Sequence, residues 1–222
     1  MKYVKIKNSD LRYAIGKLVC VGRNYVEHAE ELGNEIPEFP LVFIKPSSAV
    51  VFDRDEIIIP SFSNEVHHEA ELLLLIGKKI KNATETEAEE AIIGYGVGLD
   101  MTARDVQDQL KKKGHPWTIS KCFDTSAVIS DFVLKENYEL TGSEIIQLKV
   151  NGVLKQNSSI SKMIYNPIKV VKYLSHEMTL EEGDIIFTGT PKGVGKVIEE
   201  DTIETYITNI ATILNKVKKE IL

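Results

Sequence analysis

The sequence predicts a β-rich α+β fold, and three observations predict it. Short runs of β-branched, aliphatic and aromatic residues, bounded by Gly, Pro and Asn, recur along the chain. The helical stretches between them are short, and the strand–helix rhythm of a doubly wound sheet is absent. One stretch dominates: residues 66–77, VHHEAELLLLIG, read as a single long strand with residues 72–76 buried. Glu69 and Glu71 stand just before that buried run. In a strand, side chains two apart share a face, with Cα atoms about 7 Å apart. Two like charges entering an apolar core are costly unless something positive lies between them, and a divalent cation is the simplest candidate. A solvated strand start, with both carboxylates facing water, is the alternative at this stage.

The other elements follow in order. Residues 1–16 are polar and ambiguous between strand and loop. Residues 17–21 read as a short buried strand. Asn24 is a good N-cap with Glu27 three residues on, so residues 25–32 read as a helix that stops at Gly33. His28 and Glu31 are then neighbours on one helix face, where a carboxylate can orient an imidazole and raise its basicity. A surface His–Glu pair is the plainer alternative. Strands follow at 41–45, running into the turn Lys45-Pro46-Ser47-Ser48, and at 56–59. Residues 84–93 are helical with acidic residues early. Residues 94–99 form a strand whose glycines imply close approach to its backbone. Asp100 sits at the junction with an amphipathic helix over 102–113, where it can reach a site or cap the helix.

Residues 115–130 read as loop and carry Lys121. Residues 144–157 form a hairpin on an Asn151-Gly152 type I′ turn. Asn166-Pro167 opens a helix that runs to about His176. After the turn at 181–184 a buried strand at 185–188 leads into the loop GTPKGVG, residues 189–195. Residues 202–217 close the chain with strand alternation.

Composition narrows the functional classes. At 222 residues the chain has length for a substantial core, and its 43% hydrophobic and 27% charged residues are those of an ordinary globular protein. A net charge of −6 without a basic stripe argues against nucleic acid as a partner. No apolar run approaches bilayer-spanning length, and residues 1–16 carry no signal-peptide apolar region. Only Cys20 and Cys122 are present, so a reduced, cytoplasmic protein without membrane attachment is expected.

Several familiar motifs fail. In the 189–196 loop five residues separate Gly189 from Gly195-Lys196, where a P-loop needs four, and Val197 follows the lysine. The loop can still offer backbone N–H groups and the Thr190 hydroxyl to an anion. The 94–98 glycines do not open a helix as a dinucleotide fingerprint would. His67-His68-Glu69 lacks the second histidine of a zinc-protease helix, and no nucleophile elbow is present.

Taken together, the stretches CVGRNYVEHAEELG (20–33), FIKPSSA (43–49), HHEAELLLLIGK (67–78), GYGVGLDMTARDVQ (94–107), KCFDT (121–125), VNGVLKQNSS (150–159) and FTGTPKGVG (187–195) resemble the fumarylacetoacetate hydrolase family. The resemblance is to its short acylpyruvate hydrolase and oxaloacetate decarboxylase branch. It covers nearly the whole chain from about residue 16. It implies a mixed β-sandwich roll of the family's C-terminal-domain type, with residues 1–15 packed on a catalytic domain at 16–222, and a homodimer. It implies Mg²⁺ or Mn²⁺, with Ca²⁺ as a stand-in in crystals, on Glu69, Glu71 and Asp100. Three carboxylates suit a hard cation better than zinc. It implies His28 and Glu31 as a catalytic dyad and Lys121 as the anion-stabilising lysine. Arg23, Ser47, Arg104, Gln107 and Thr190 fall at substrate-contacting positions, although Arg23 and Arg104 could equally hold the acidic ligands in place.

The sequence departs from the family pattern at Leu99, where an asparagine is usual, at Ser126 and Ile129-Ser130, and at Asn209 and Ala211, where glycines are usual. The expected substrate is a small 2-keto acid. The expected reaction is metal-dependent hydrolysis of a carbon–carbon bond in a 2,4-diketo acid, of acylpyruvate or fumarylpyruvate type, releasing pyruvate through its enolate. Oxaloacetate decarboxylation or tautomerisation, or 2-hydroxyhepta-2,4-diene-1,7-dioate isomerisation, needs the same enolate chemistry and is the alternative. A non-catalytic module with a structural ion would need none of His28, Glu31 and Lys121.

Overall fold

The computed structural model describes residues 1–33 and 35–221. The ambiguous N-terminal residues form an antiparallel pair, β1 (Tyr3–Lys5) and β2 (Arg12–Ala14). Val4 and Ile6 of this segment are buried against Leu18, Leu73 and Phe132. β3 (Leu18–Gly22) is followed by α1 (Val26–Glu31), and Gly33, at φ 62°, lies just past the helix end. The expected cap is different. Tyr25 holds the N-cap position without a side-chain bond, and Asn24 is fully buried. Its amide donates to the carbonyls of Tyr165 (2.9 Å) and Thr188 (2.7 Å) and accepts from the Tyr165 N–H (2.7 Å). A buried amide satisfied on three sides fastens distant segments together, which a solvent-exposed cap cannot do. Glu27, expected to complete the cap, instead bridges Lys162 and Lys192 at 2.8 Å each.

β4 (Leu41–Lys45), β5 (Val50–Phe52) and β6 (Glu56–Ile59) follow. The stretch expected as one strand is two, β7 (Val66–His68) and β8 (Ala70–Ile76), broken at Glu69. After α2 (Glu85–Ala91), opened by a capping box of Thr84 and Glu87, come β9 (Ile92–Asp100), β10 (Thr102–Ala103) and α3 (Arg104–Lys112). The α3 helix starts later than expected because Thr102 and Ala103 pair with His67 and Val66. Asp100 does not cap it. The 115–130 segment, expected as loop, contains α4 (Thr118–Lys121) and β11 (Ala127–Ile129), both too short to leave a periodic signal. β12 (Val133–Leu134) precedes the hairpin of β13 (Ile145–Val150) and β14 (Val153–Ser159). Asn151 and Gly152 both have positive φ (51° and 78°), as a type I′ turn requires. α5 (Pro167–Glu177) is capped by the Asn166 side chain. β15 (Ile185–Phe187), β16 (Gly195–Lys196), β17 (Thr202–Ile207) and β18 (Ala211–Lys219) complete the chain. Asn209, between the last two, takes φ 61°, the left-handed conformation that asparagine tolerates in place of glycine.

The main sheet runs β4-β3-β15-β8-β9-β11-β5, with β12 also paired to β9. A second sheet runs β14-β13-β17-β18-β6, and a small one β10-β7-β16. One core lies between the large sheets, where Leu72, Leu74 and Ile76 face Ile146, Leu148 and Ile203. On the other face of β8, Leu73 and Leu75 join Leu18, Cys20, Ile185 and Phe187. A strand buried on both faces needs a continuous apolar run, which is why LLLLI does not alternate. Leu99 belongs to the inter-sheet core and is fully buried. Among the described residues no helix is long and apolar enough to cross a membrane.

Candidate active site

The break between β7 and β8 sets up the site. Glu69 is the corner residue, Glu71 lies one step into β8, and Asp100 ends β9. The Asp100 N–H donates to the Glu69 carbonyl at 2.9 Å, and Ala70 and Glu71 pair with Leu99 and Gly98. Glycine at 98 is required there, since a Cβ would stand 2.6 Å from the Val128 carbonyl oxygen and 2.8 Å from the Leu73 side chain. The three carboxyls are buried and each offers an oxygen within 4.8 Å of the other two. A divalent ion bound to carboxylate oxygens at roughly 2.0–2.6 Å gathers its ligands within about 4–5 Å of one another. The donor set therefore fits Mg²⁺ or Mn²⁺ in spacing and in chemistry.

Three cations oppose the three acids. Lys121 Nζ lies 2.8 Å from Glu69 Oε2 and 2.5 Å from Asp100 Oδ2, and it donates to the Thr102 hydroxyl at 2.6 Å. Lys45, fully buried, is 2.8 Å from Asp100 Oδ1 and donates to the carbonyls of Lys121, Ser126 (2.9 Å) and Met101 (3.2 Å). Arg104 pairs with Glu69 Oε1 and donates to Gln107 Oε1 at 2.5 Å. An uncompensated charge at this depth costs about 3–5 kcal/mol, so this pairing lets the acids be buried at all.

The compensation is uneven. Burial pushes the Glu69 carboxyl up, but Lys121, Arg104 and His28 more than reverse this and hold it well below the usual range. Glu71 goes the other way: burial, Asp100 and Glu69 raise it well above, against the Gly189 N–H bond (2.7 Å) and Lys121. Two neighbouring carboxylates pulled in opposite directions form a site short of positive charge on the Glu71 side. Burial disfavours the Lys121 ammonium, and Asp100 and Glu69 override it, so the lysine stays charged.

His28 is buried and its Nδ1 lies 3.3 Å from Glu31 Oε2. Glu31 accepts in turn from the Gly193 N–H at 2.9 Å, which ties α1 to the 189–195 loop. Because a carboxylate only accepts, Nδ1 carries the proton and Nε2 keeps its lone pair. Burial lowers the His28 pKa, with Glu69 and Glu31 opposing, so the ring is neutral near pH 7. Thr190 is held by Gln156, whose amide donates to the Thr190 hydroxyl and the Pro191 carbonyl at 2.8 Å each. The Gln156 oxygen accepts from the Ala70 N–H (3.0 Å) and meets His68 Nδ1 at 3.2 Å. One buried side chain from the second sheet thus joins the loop to the corner that carries Glu69.

The structure brings Arg23, His28, Glu69, Glu71, Asp100, Arg104, Gln107, Lys121 and Thr190 around one cavity. Glu31 stands behind His28. Ser47 lies on the 3-10 turn Ser47–Ala49 and does not line that cavity. The turn at Pro46 carries the chain away along β5, so the FIKPSSA stretch contributes Phe43 to the cavity wall and Lys45 against Asp100, and not Ser47. Arg23 adopts φ 58°, an unusual conformation for a non-glycine residue and one often found at functional sites.

The sequence profile of the fumarylacetoacetate hydrolase C-terminal family matches residues 17–218. The chain belongs to this family. The mitochondrial oxaloacetate tautomerase FAHD1 of Bos taurus is 44% identical over 202 residues, covering 91% of both chains. The oxaloacetate tautomerase YcgM of Escherichia coli is 43% identical over 196 residues, 87% of this chain and 89% of that one. The crystal structure of fumarylpyruvate hydrolase from Pseudomonas aeruginosa, in complex with Mn²⁺ and pyruvate, superposes with a TM-score of 0.95. That protein is 37% identical, and the match covers 99% of this chain and 96% of that one. These relatives are enzymes, and the mixed β-sandwich roll is the fold shared with the last of them.

Reading the sequence missed Lys45 and Gln156, and on the cavity wall Phe43, Lys111 and Trp117. A faint signal existed for Lys45, which shares a strand face with Phe43, a cavity residue, and directly precedes Pro46. Gln156 had none, because its partners lie 34 and 88 residues away. Two of the sequence departures make bonds of their own. Ser126 donates to the Lys121 carbonyl (2.8 Å) and the Ser130 hydroxyl accepts from the Val97 N–H (3.0 Å).

Proposed function

We propose that this chain is a divalent-metal-dependent hydrolase of 2,4-diketo acids, cutting the carbon–carbon bond of an acylpyruvate or fumarylpyruvate and releasing pyruvate. The observation that carries it is the Glu31-bound His28 opening on the same cavity as the buried acidic triad. Glu69, Glu71 and Asp100 would hold Mg²⁺ or Mn²⁺. When bound, the ion supplies Lewis-acid polarisation of the 2-keto oxygen and carboxylate of the substrate. His28 takes a proton from water, Glu31 steadying the resulting imidazolium, and the hydroxide adds to the distal carbonyl. The bond between that carbon and the methylene then breaks. Its electron pair passes to the pyruvate fragment as an enolate, the acyl fragment leaves as a carboxylic acid, and the proton held by His28 returns to the enolate carbon to give pyruvate. Lys121, kept charged by its acidic neighbours, offsets the enolate charge. Arg104, Gln107 and Thr190 orient the substrate carboxylate, with Arg23 as a further contact position. A homodimer in the cytoplasm belongs to the same reading, with residues 16–222 as the catalytic unit and 1–15 as a packed segment. The free cysteines Cys20 and Cys122 suit a reducing compartment.

A second reading is favoured by the two relatives named oxaloacetate tautomerases. Keto–enol interconversion, or loss of CO₂ from oxaloacetate, passes through the same enolate and needs no activated water. Acetylpyruvate with Mg²⁺, with and without EDTA, separates the two. Pyruvate release that EDTA stops is expected for the hydrolase, together with a loss of at least about 100-fold in His28→Ala. No pyruvate from the wild type, with rapid equilibration of enol-oxaloacetate, would replace it by the tautomerase. Equal hydrolysis by His28→Ala would remove the water-activating role.

A further inference from the structure

We infer that Lys111 reads a second carboxylate at the far end of the substrate, so that the cavity prefers dicarboxylic to monocarboxylic 2-keto acids. The inference rests on the 2-keto acid reading above and adds to it the chemistry of the distal group. α3 places Arg104, Gln107 and Lys111 at positions i, i+3 and i+7, on one face and along one wall of the cavity. Arg104 and Gln107 serve the inner end, where Arg104 pairs with Glu69 and donates to Gln107. Lys111 lies about 10 Å along the helix axis from Arg104, and it is less buried than Arg104 and Gln107. Its ammonium sits 5.5 Å from the centre of the Trp117 ring, which fixes the direction of a long side chain. Its nearest acid is Asp108 on its own helix, at 3.8 Å and half exposed, and it makes no hydrogen bond among the described residues.

Arg23 faces it from the wall built after β3. Glu35 is near enough to be felt by Arg23 but forms no ion pair with it among the described residues. Burial followed by the charges of Arg104 and Arg23 disfavours the Lys111 ammonium, with Asp108 and Glu69 opposing. At the inner end Lys45, Arg104 and Lys121 are each already paired with Glu69 or Asp100. The outer end holds two half-buried cations that repel each other. A substrate carboxylate there relieves the repulsion and gains a charge-assisted bond. The helix dipole alone does not explain Lys111, since Lys112 and Lys113 already supply surface charge at that terminus.

Lys111→Met keeps the apolar stem over Trp117 and removes the charge. The ratio of kcat/KM for fumarylpyruvate to that for acetylpyruvate, both read as pyruvate, should fall at least tenfold in Lys111→Met. It should hold in Lys112→Met, an equal change of net charge on the exposed side. An unchanged ratio in Lys111→Met, or an equal fall in Lys112→Met, overturns the inference. Binding supplies a readout that does not depend on turnover, because Trp117 is the single tryptophan and lines the cavity. With Mg²⁺ present, fluorescence titration should show 2-oxoglutarate binding at least tenfold tighter than 2-oxopentanoate, its analogue without the distal carboxylate. Lys111→Met should erase that gap. If neither diketo acid is hydrolysed, the hydrolase reading fails, and this titration alone then supports or overturns the role of Lys111.

Discussion

His28 works through the direction in which its environment moves it. Removing an imidazole from water disfavours its charged form, and this outweighs the attraction of Glu69 and Glu31 for the imidazolium. A base must be neutral to act, so activity is lost as pH falls through the lowered pKa. The acid limb of kcat/KM should therefore lie below the ordinary histidine value of about 6.5, with a plateau above it. Glu31→Gln takes away one influence favouring the cation and should move the limb to still lower pH while lowering the plateau. A limb at or above the ordinary value, or one that Glu31→Gln leaves in place, would contradict this assignment. The same scale explains why Lys45 escaped notice. Its three carbonyl acceptors belong to Met101, Lys121 and Ser126, none within 50 positions of it, and no local pattern marks a lysine as fully buried.

At the scale of elements, the junction of β8, β9 and β11 is where close packing and chemistry meet. Gly98 lies opposite Glu71 and two residues before Asp100, and β11 presses its Val128 carbonyl against it. Glycines inside this strand signalled close approach in the sequence alone, and the neighbour is β11 at Gly98, Ser130 and Phe132 at Gly96, and β12 at Gly94. Gly98→Ala must part β9 from β11, at a cost of about 1–3 kcal/mol in overpacking. Because Asp100 moves with the strand end, metal affinity should fall as well. Urea unfolding and a Mn²⁺ titration check the two effects, and an unchanged midpoint would show that the strands separate freely. The split between β7 and β8 belongs to this scale too. VHHEAELLLLIG has the composition of one strand, and pairing of Val66 and His67 with β10 and of His67 and His68 with β16 turns its first half into another sheet.

For the whole molecule the controlling quantity is the charge balance of its interior. A carboxyl whose pKa is raised on folding binds its proton more tightly in the folded state, so stability declines as pH rises above its unfolded pKa. Glu71 is such a group, and near neutral pH the metal-free protein carries its penalty. Glu71→Gln keeps an acceptor for the Gly189 N–H and removes the charge. It should raise the metal-free Tm by a few degrees, about 2–4 °C per kcal/mol at this size. The wild type at a hundredfold excess of Mg²⁺ over Kd should gain about 2.7 kcal/mol, and Glu71→Gln should lose most of that gain. Thermal melts with and without EDTA test both signs, and a lower metal-free Tm in the variant would reject the account.

By itself the sequence determined what depends on neighbours a few positions apart: the Asn151-Gly152 turn, the Asn166 cap, the buried run of β8, and a β-rich α+β class. Its ordered motifs also pointed to the family to which the chain belongs. Tertiary structure alone decided which sheet each half of the 66–77 stretch joins, that Asn24 fastens loops instead of capping a helix, and that Lys45 stands against Asp100. Such outcomes follow from pairings across tens of residues, where burial of a polar group is settled by partners that no local period reveals.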